Sequence, residues 1–294
     1  MKVLILVLSS DTYPSKRNSK VQKNTWAKKL PDNFEAIHYK SGNKTYIKEN
    51  DLIVKAGKKT NEIGYKNFRA FEWVLENKQF DYLFRTNTSS YINISELEKF
   101  IKDIDKGNSK YIYSGKIINL KKSTNNEVVQ FVSGAGILLS KNSLQSLVDK
   151  QNLFDHNEWE DVGIGKLFNL IDIFPTDGSR FDIKGNIFKL SIPLNEYHYR
   201  CRIDNHYNYP RFLETTVIKE LHKRHIGNFE RNNNFAYKAF FEICKFFYIN
   251  QLGWKIFSSL KRVAKLILPN KIYKQCVHIF KNIINNFYLS KFKK

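Results

Sequence analysis

Three stretches of the chain carry side chains able to hold or activate a polar substrate. The first is Glu160-Asp161-Val162, two neighbouring carboxylates at the head of an apolar helical run. A carboxylate in that position is held by backbone N–H groups and the helix dipole, and when ionised it can take a proton from a hydroxyl. Taken alone, Glu160 and Asp161 read as helix-capping acids. The second stretch, Arg85-Thr86-Asn87-Thr88-Ser89-Ser90, follows the apolar run Tyr82-Leu83-Phe84. A buried strand that ends this way puts small hydroxyl and amide groups outside its C-terminal edge. Ligands of open α/β sheets bind there, because backbone groups leaving the sheet are unpaired and helix N-termini converge on the crevice. Read by itself, the stretch is a strand followed by a polar turn. Ser9-Ser10-Asp11 ends an earlier apolar run in the same manner, making Ser9 a candidate contact to a nucleotide or sugar. The third stretch, His198-Tyr199-Arg200-Cys201-Arg202, gathers cationic side chains, each of which taken singly reads as a surface charge or a structural pair.

The elements that must position these residues alternate. Continuous apolar character at 3–8 predicts a strand covered on both faces. Further strands are expected at 34–39, 51–54, 82–84, 111–115 and 128–132, and helices at 16–26, 63–76, 94–104, 141–148, 160–170 and 211–224. Such alternation predicts an α/β fold with a mostly parallel sheet covered by helices. Ser133-Gly134-Ala135-Gly136 reads as a tight turn or a close backbone approach to a ligand before the 141–148 helix. Trp26, Trp73 and Phe84 are expected in the core, and 172–192 is expected to hold loops and short extended pieces.

Composition separates two regions. With 42% hydrophobic and 15% aromatic residues in 294, the chain can build a core and is not disordered as a whole. Its formal charge of +21 calls for an anionic partner. Residues 236–294 carry twelve lysines and arginines against the single acid Glu242. Amphipathic segments at 236–251, 254–268 and 272–289, with wide aromatic-rich faces bordered by lysine, predict a helical tail lying on an anionic membrane surface. The competing reading is a helical cap or oligomer contact with solvated lysines. Nucleic acid is not expected as a partner, because the aromatics lie with the aliphatics rather than among the basic residues. The expected domains are therefore 1–232 and 236–294, divided at Asn232-Asn233-Asn234. Cys201, Cys244 and Cys276 are spaced for neither a disulfide framework nor zinc, and free thiols are expected. The opening apolar run is too short for a signal peptide, and no stretch reaches the roughly 18 apolar residues of a membrane span. The expected location is cytoplasmic, peripheral on the cytoplasmic face of the membrane.

Lys23-Asn24-Thr25-Trp26, Lys66 seven residues before Trp73, the stretch Arg85 to Asn93, Ser133 to Gly136, and Glu160-Asp161-Val162 follow one another in a telling order. That order resembles the Golgi-type β-1,3-glycosyltransferases, which include the Fringe proteins and have the nucleotide-diphosphosugar GT-A fold. The likeness covers about 1–173. It implies a glycosyltransferase that inverts at the anomeric carbon, with Asp161 as the base, Glu160 beside it, and Ser9, Asn87 and Ser89 near the donor. Where the family carries metal-binding aspartates, this chain has Asn87, Thr88 and Ser89. Hard divalent cations want carboxylate oxygens, so no metal cofactor is expected. The donor diphosphate is then expected to be neutralised by Lys66, Arg85, His198, Arg200 and Arg202. The expected partners are a nucleotide-sugar donor, most simply a UDP-sugar, and a glycan or glycolipid acceptor such as a lipopolysaccharide precursor. The alternative is a non-catalytic glycan-binding or scaffolding relative that lost the metal site.

Overall fold

Val3–Leu8 forms β1, and five of its six residues are buried, as a strand with neighbours on both edges and cover on both faces requires. In the computed structural model, residues 1–59, 62–121, 128–183, 192–202, 211 and 213–227 are described, all within the unit Met1–Asn228. The tail expected at 236–294, the boundary at 232–234 and the thiols Cys244 and Cys276 lie outside them; Cys201 is a buried free thiol.

The chain runs β1, α1 (Ser15–Lys23), β2 (Phe34–Gly42), β3 (Tyr46–Lys48), β4 (Asp51–Lys55), α2 (Ile63–Asn77), β5 (Tyr82–Asn87), β6 (Ser90–Ile92) and α3 (Ile94–Asp105). It continues through β7 (Tyr113–Lys121), β8 (Val128–Ser140), α4 (Lys141–Asp149), α5 (Glu160–Leu170), β9 (Thr176–Asp177), β10 (Phe181–Asp182), β11 (His198–Arg200) and α6 (Leu213–His225). The main sheet has the order β3-β4-β2-β1-β5-β8-β7-β9, and a small sheet has the order β10-β11-β6. The expected parallel core is present as β4-β2-β1-β5; β8 and β7 extend it antiparallel on one side, and β3 caps it antiparallel on the other.

One face of the sheet packs against α2, α4 and α5 through a core that includes Leu6, Tyr39, Phe68, Phe71, Leu83, Leu144, Ile164 and Phe168. On the other face Phe84 meets Tyr197 and His198 edge-on. Trp26 and Phe84 are buried as expected, while Trp73 is only partly covered. Among the described residues, no helix is long and apolar enough to cross a membrane.

Two differences from expectation bear on the site. β5 does not end at Phe84 but carries Arg85, Thr86 and Asn87 in regular pairing with β1. The Ser133–Gly136 stretch is not a turn leading to a helix. It lies inside β8, whose apolar continuation Ile137-Leu138-Leu139 pairs with β5.

Candidate active site

A bulge in β8 builds the site. Between Gly115 and Ile117, β7 advances two residues while β8 advances five, from Val132 to Ile137, so residues 133–136 leave the ladder with β7, Gly136 staying paired with Thr86 of β5. Bulges re-aim the groups they release, and each of these four residues meets a different partner. Ser133 Oγ accepts from Arg180 Nη1 at 2.8 Å. Gly134 donates its N–H to Asp161 Oδ2 at 2.8 Å, and its carbonyl accepts from Arg85 Nη1. The Ala135 carbonyl accepts from Thr86 Oγ1 at 2.7 Å. Gly136 lies against the His198 ring. The glycines are needed for space: a Cβ on Gly134 would come within 3.0 Å of Glu160 Oε2 and 3.1 Å of Arg85 Nη1, and one on Gly136 within 2.4 Å of His198. The close approach here is to the protein's own side chains, inside a strand.

Beneath Gly134, four elements contribute to one polar chain. Glu160 Oε1, at the start of α5, lies 3.1 Å from Arg85 Nη2 on β5 and also accepts from Asn67 Nδ2 on α2. Asn67 Oδ1 accepts from the Tyr39 hydroxyl on β2 at 2.5 Å, and that hydroxyl accepts from Arg85 Nε at 3.3 Å. Burial works against the Arg85 charge, but Glu160 and the Tyr39 oxygen outweigh it and the guanidinium stays protonated more firmly than usual. Burial pushes Glu160 up to about 7 against the pull of Arg85, and the neighbouring Asp161 charge adds to the rise. It also pushes the Tyr39 phenol up to about 12.

Asp161, like Glu160, is partly buried. Its Oδ2 accepts from Gly134 and its Oδ1 from the Val162 N–H at 3.1 Å. A carboxylate offers about four acceptor positions, so a substrate hydroxyl can still be accommodated.

Along the carboxyl edge of the parallel strands, Ser9 donates both N–H and Oγ to the Tyr39 carbonyl, at 2.8 and 3.0 Å. Asn87 Oδ1 accepts from the Ser89 N–H at 2.9 Å, closing the turn on itself. Ser89 Oγ donates to Glu214 Oε2 at 2.9 Å and accepts from Arg211 Nη2 at 3.1 Å. Glu214, fully buried on α6, also accepts from Asn18 Nδ2 at 2.5 Å and Arg211 Nε at 2.7 Å. Lys66 is buried near Arg85, and burial lowers its pKa.

The cation set expected from sequence is corrected in two places. Arg85 does not face the crevice: it is 1% exposed and binds Glu160, Tyr39 and Gly134. His198 sits behind the Thr86 face of β5, 1% exposed, with Nε2 3.0 Å from Ser90 Oγ. Burial, with Arg180 and Arg200 adding, depresses its pKa far below the usual value, so the imidazole is neutral and supplies no counter-charge. Arg200 on β11 is partly exposed, near Asp182, and Arg202 is exposed. The structure therefore unites Asp161, Glu160, Arg85 and Lys66 on the α2 and α5 side. It sets Ser9, Asn87 and Ser89 along the edge, and it keeps His198 on the opposite face.

Sequence reading missed Asn67, Tyr39, Arg211 and Glu214. It also missed a lysine group: Lys40 Nζ lies 2.7 Å from Asp11 Oδ1, and Lys16 and Lys58 are near enough to help hold that carboxyl low. Lys40 lies near the C-terminal end of β2 and Lys58 a few residues beyond β4, positions legible in the sequence once the strands are drawn.

The donors at the Asn87–Ser89 turn do not fit the divalent metal that the family resemblance implies. Asn87 Oδ1 is taken by a backbone N–H, and the carboxylate that meets the turn, Glu214, is held by an amide, a hydroxyl and a guanidinium. Among the described residues, no group of three or more His, Cys, Asp or Glu side chains is placed to hold a metal ion.

No family model matches this chain, and no curated protein does. Among solved structures it is similar to a glycosyltransferase involved in glycosylation of the major capsid of PBCV-1. The identity is 9% over 75% of this chain and 100% of that one, with a TM-score of 0.45. It is also similar to A197 from STIV, at 17% identity over 61% and 82% of the two chains and a TM-score of 0.34. Residues 1–349 of S. aureus TarS give 15% identity over 80% and 74%, with a TM-score of 0.39.

Proposed function

We propose that this protein is a glycosyltransferase that moves a sugar from a nucleoside-diphosphate sugar, most simply a UDP-sugar, to a hydroxyl of a surface glycan or lipid-linked precursor. Transfer inverts the anomeric carbon and proceeds without a divalent metal. One observation carries the reading: Asp161 is fixed by the Gly134 N–H and its own helix N-terminus at the carboxyl edge of a parallel core, where an acceptor can reach it. The acceptor oxygen bonds to the anomeric carbon as its proton passes to Asp161. The bond from that carbon to the diphosphate oxygen breaks, and the nucleoside diphosphate leaves with the electron pair.

Lys16, Lys40, Lys58 and Arg211 are the cations we assign to the leaving diphosphate. Ser9, Asn87 and Ser89 shape the donor side. Arg85 and Glu160 act as positioning residues: they hold the Gly134 bulge that presents its N–H to Asp161. The basic segment 236–294 places the enzyme peripherally on an anionic membrane at its cytoplasmic face.

The test is turnover of a panel of sugar nucleotides by the full chain and by Asp161→Asn, with and without EDTA. EDTA-insensitive turnover that Asp161→Asn abolishes is expected. Turnover abolished by EDTA overturns the metal-free mechanism. Absence of turnover with every donor overturns the enzyme reading in favour of a glycan-binding relative.

A further inference from the structure

We infer that Trp159, carried by the loop whose His156 stacks on Tyr65, is a stacking platform for a sugar ring of the acceptor; this rests on Asp161 as the base. The loop that carries it is built to be rigid. Phe154 is wedged between the first turns of α2 and α5: a Cβ on Gly64 would come within 2.8 Å of its ring and one on Gly163 within 2.7 Å. Its far side packs edge-on against Phe68, with centroids 4.9 Å apart. Two residues on, His156 lies flat on Tyr65 with centroids 3.5 Å apart and planes 4° from parallel. Asp155 Oδ1 accepts from the Asn157 N–H at 2.9 Å and closes the intervening turn.

This pinned loop ends in Trp159, which is 73% exposed immediately before Glu160 and Asp161. An indole left in water on an anchored loop adds nothing to the core, and it presents a large ring face with a polar N–H to a ligand. Its surroundings select the ligand. Glu158 is paired with Lys166 and Glu160 with Arg85, so Asp161 is the neighbouring acid left to meet a ligand, and its charge disfavours phosphate-bearing lipids and nucleic acids. A neutral sugar offers an apolar C–H face to the ring and hydroxyls to the Asp161 carboxylate.

The experiment uses the full chain on an array of immobilised oligosaccharides, comparing wild type with Trp159→Ala and Trp159→Phe, with matching melting temperatures as the check on folding. Wild type should bind a subset of the glycans. Trp159→Ala should lose about tenfold in binding, the weight of one aromatic contact, and Trp159→Phe should keep most of it. Equal binding by Trp159→Ala, or no glycan bound by wild type, overturns the platform. Trp159-dependent binding in a protein that turns over no sugar nucleotide supports the platform while sinking the transferase. Turnover whose acceptor KM ignores Trp159 does the reverse.

Discussion

The Glu160 carboxylate meets the Arg85 guanidinium at 3.1 Å in the protein interior, with side chains 12% and 2% exposed. Charges this well shielded from water are far more costly to separate than to remove together. Arg85→Met, which strands the carboxylate, should therefore cost roughly 3–5 kcal/mol in urea unfolding. The double variant Arg85→Met/Glu160→Met should recover part of that loss. A double variant less stable than the single one would show that the pair is not coupled as described.

The two glycines of the β8 bulge should respond differently to the same methyl group. Gly136→Ala drives a Cβ to 2.4 Å from a fully buried imidazole and should cost roughly 1–3 kcal/mol by overpacking. Gly134→Ala meets atoms at 3.0–3.2 Å that can give slightly. It should unfold near wild type but displace the Asp161 carboxylate and cut transfer by about 100-fold. Parallel measurements of melting temperature and kcat check the contrast.

His38 should impose an acid limit on stability. Its Nε2 lies 3.2 Å from Gln22 Oε1, and Gln22 Nε2 donates to the carbonyls of Asn87 and Ser90, so His38 carries its proton on Nε2 and donates it. Burial, with Lys23 adding, lowers its pKa to about 4. The unfolded chain takes up a proton near pH ~6.5, before the folded one does, so stability is lost as the pH falls from there toward 4. Relative to His38→Gln, wild type should lose roughly 3 kcal/mol across that window. Parallel pH profiles for the two proteins would contradict this.

Glu214 ties α6 to the Ser89 turn and to α1. Glu214→Ala leaves the Arg211, Asn18 and Ser89 donors without their shared acceptor and should cost roughly 2–3 kcal/mol. It should also raise the KM for the sugar nucleotide more than it lowers kcat, because the loosened turn borders the donor side. A fall in kcat at constant KM would place the Asn87–Ser89 turn outside the donor pocket.

The alternation of strands and helices was legible because the parallel core reads as short apolar runs and α5 opens on paired acids. The inner structure of the site was not. Arg85 follows Tyr82-Leu83-Phe84 and so marks the apparent end of a strand; only its distant partner Glu160 makes a charge tolerable inside one. The bulge in β8 escaped because Ser133, Gly134 and Gly136 interrupt the apolar pattern, and because a bulge is a relation between two strands that one strand's sequence does not contain. His198 sits among arginines in the chain and read as a cation, yet the sheet that buries it discharges it. Arg211 and Glu214 lie far along the chain from the turn they hold, with no periodic signal linking them to it.

Arg85 and Thr86 are successive residues of β5 and project from opposite faces of the sheet, yet they bond to the successive carbonyls of Gly134 and Ala135. That length of chain is thereby riveted through the sheet from both sides, and it cannot swing toward either without tearing loose on the other. The amide that orients Asp161 is held still before any ligand arrives, so if Asp161 is the base we propose, the cost of arranging it is met once, during folding, and not again at each turnover.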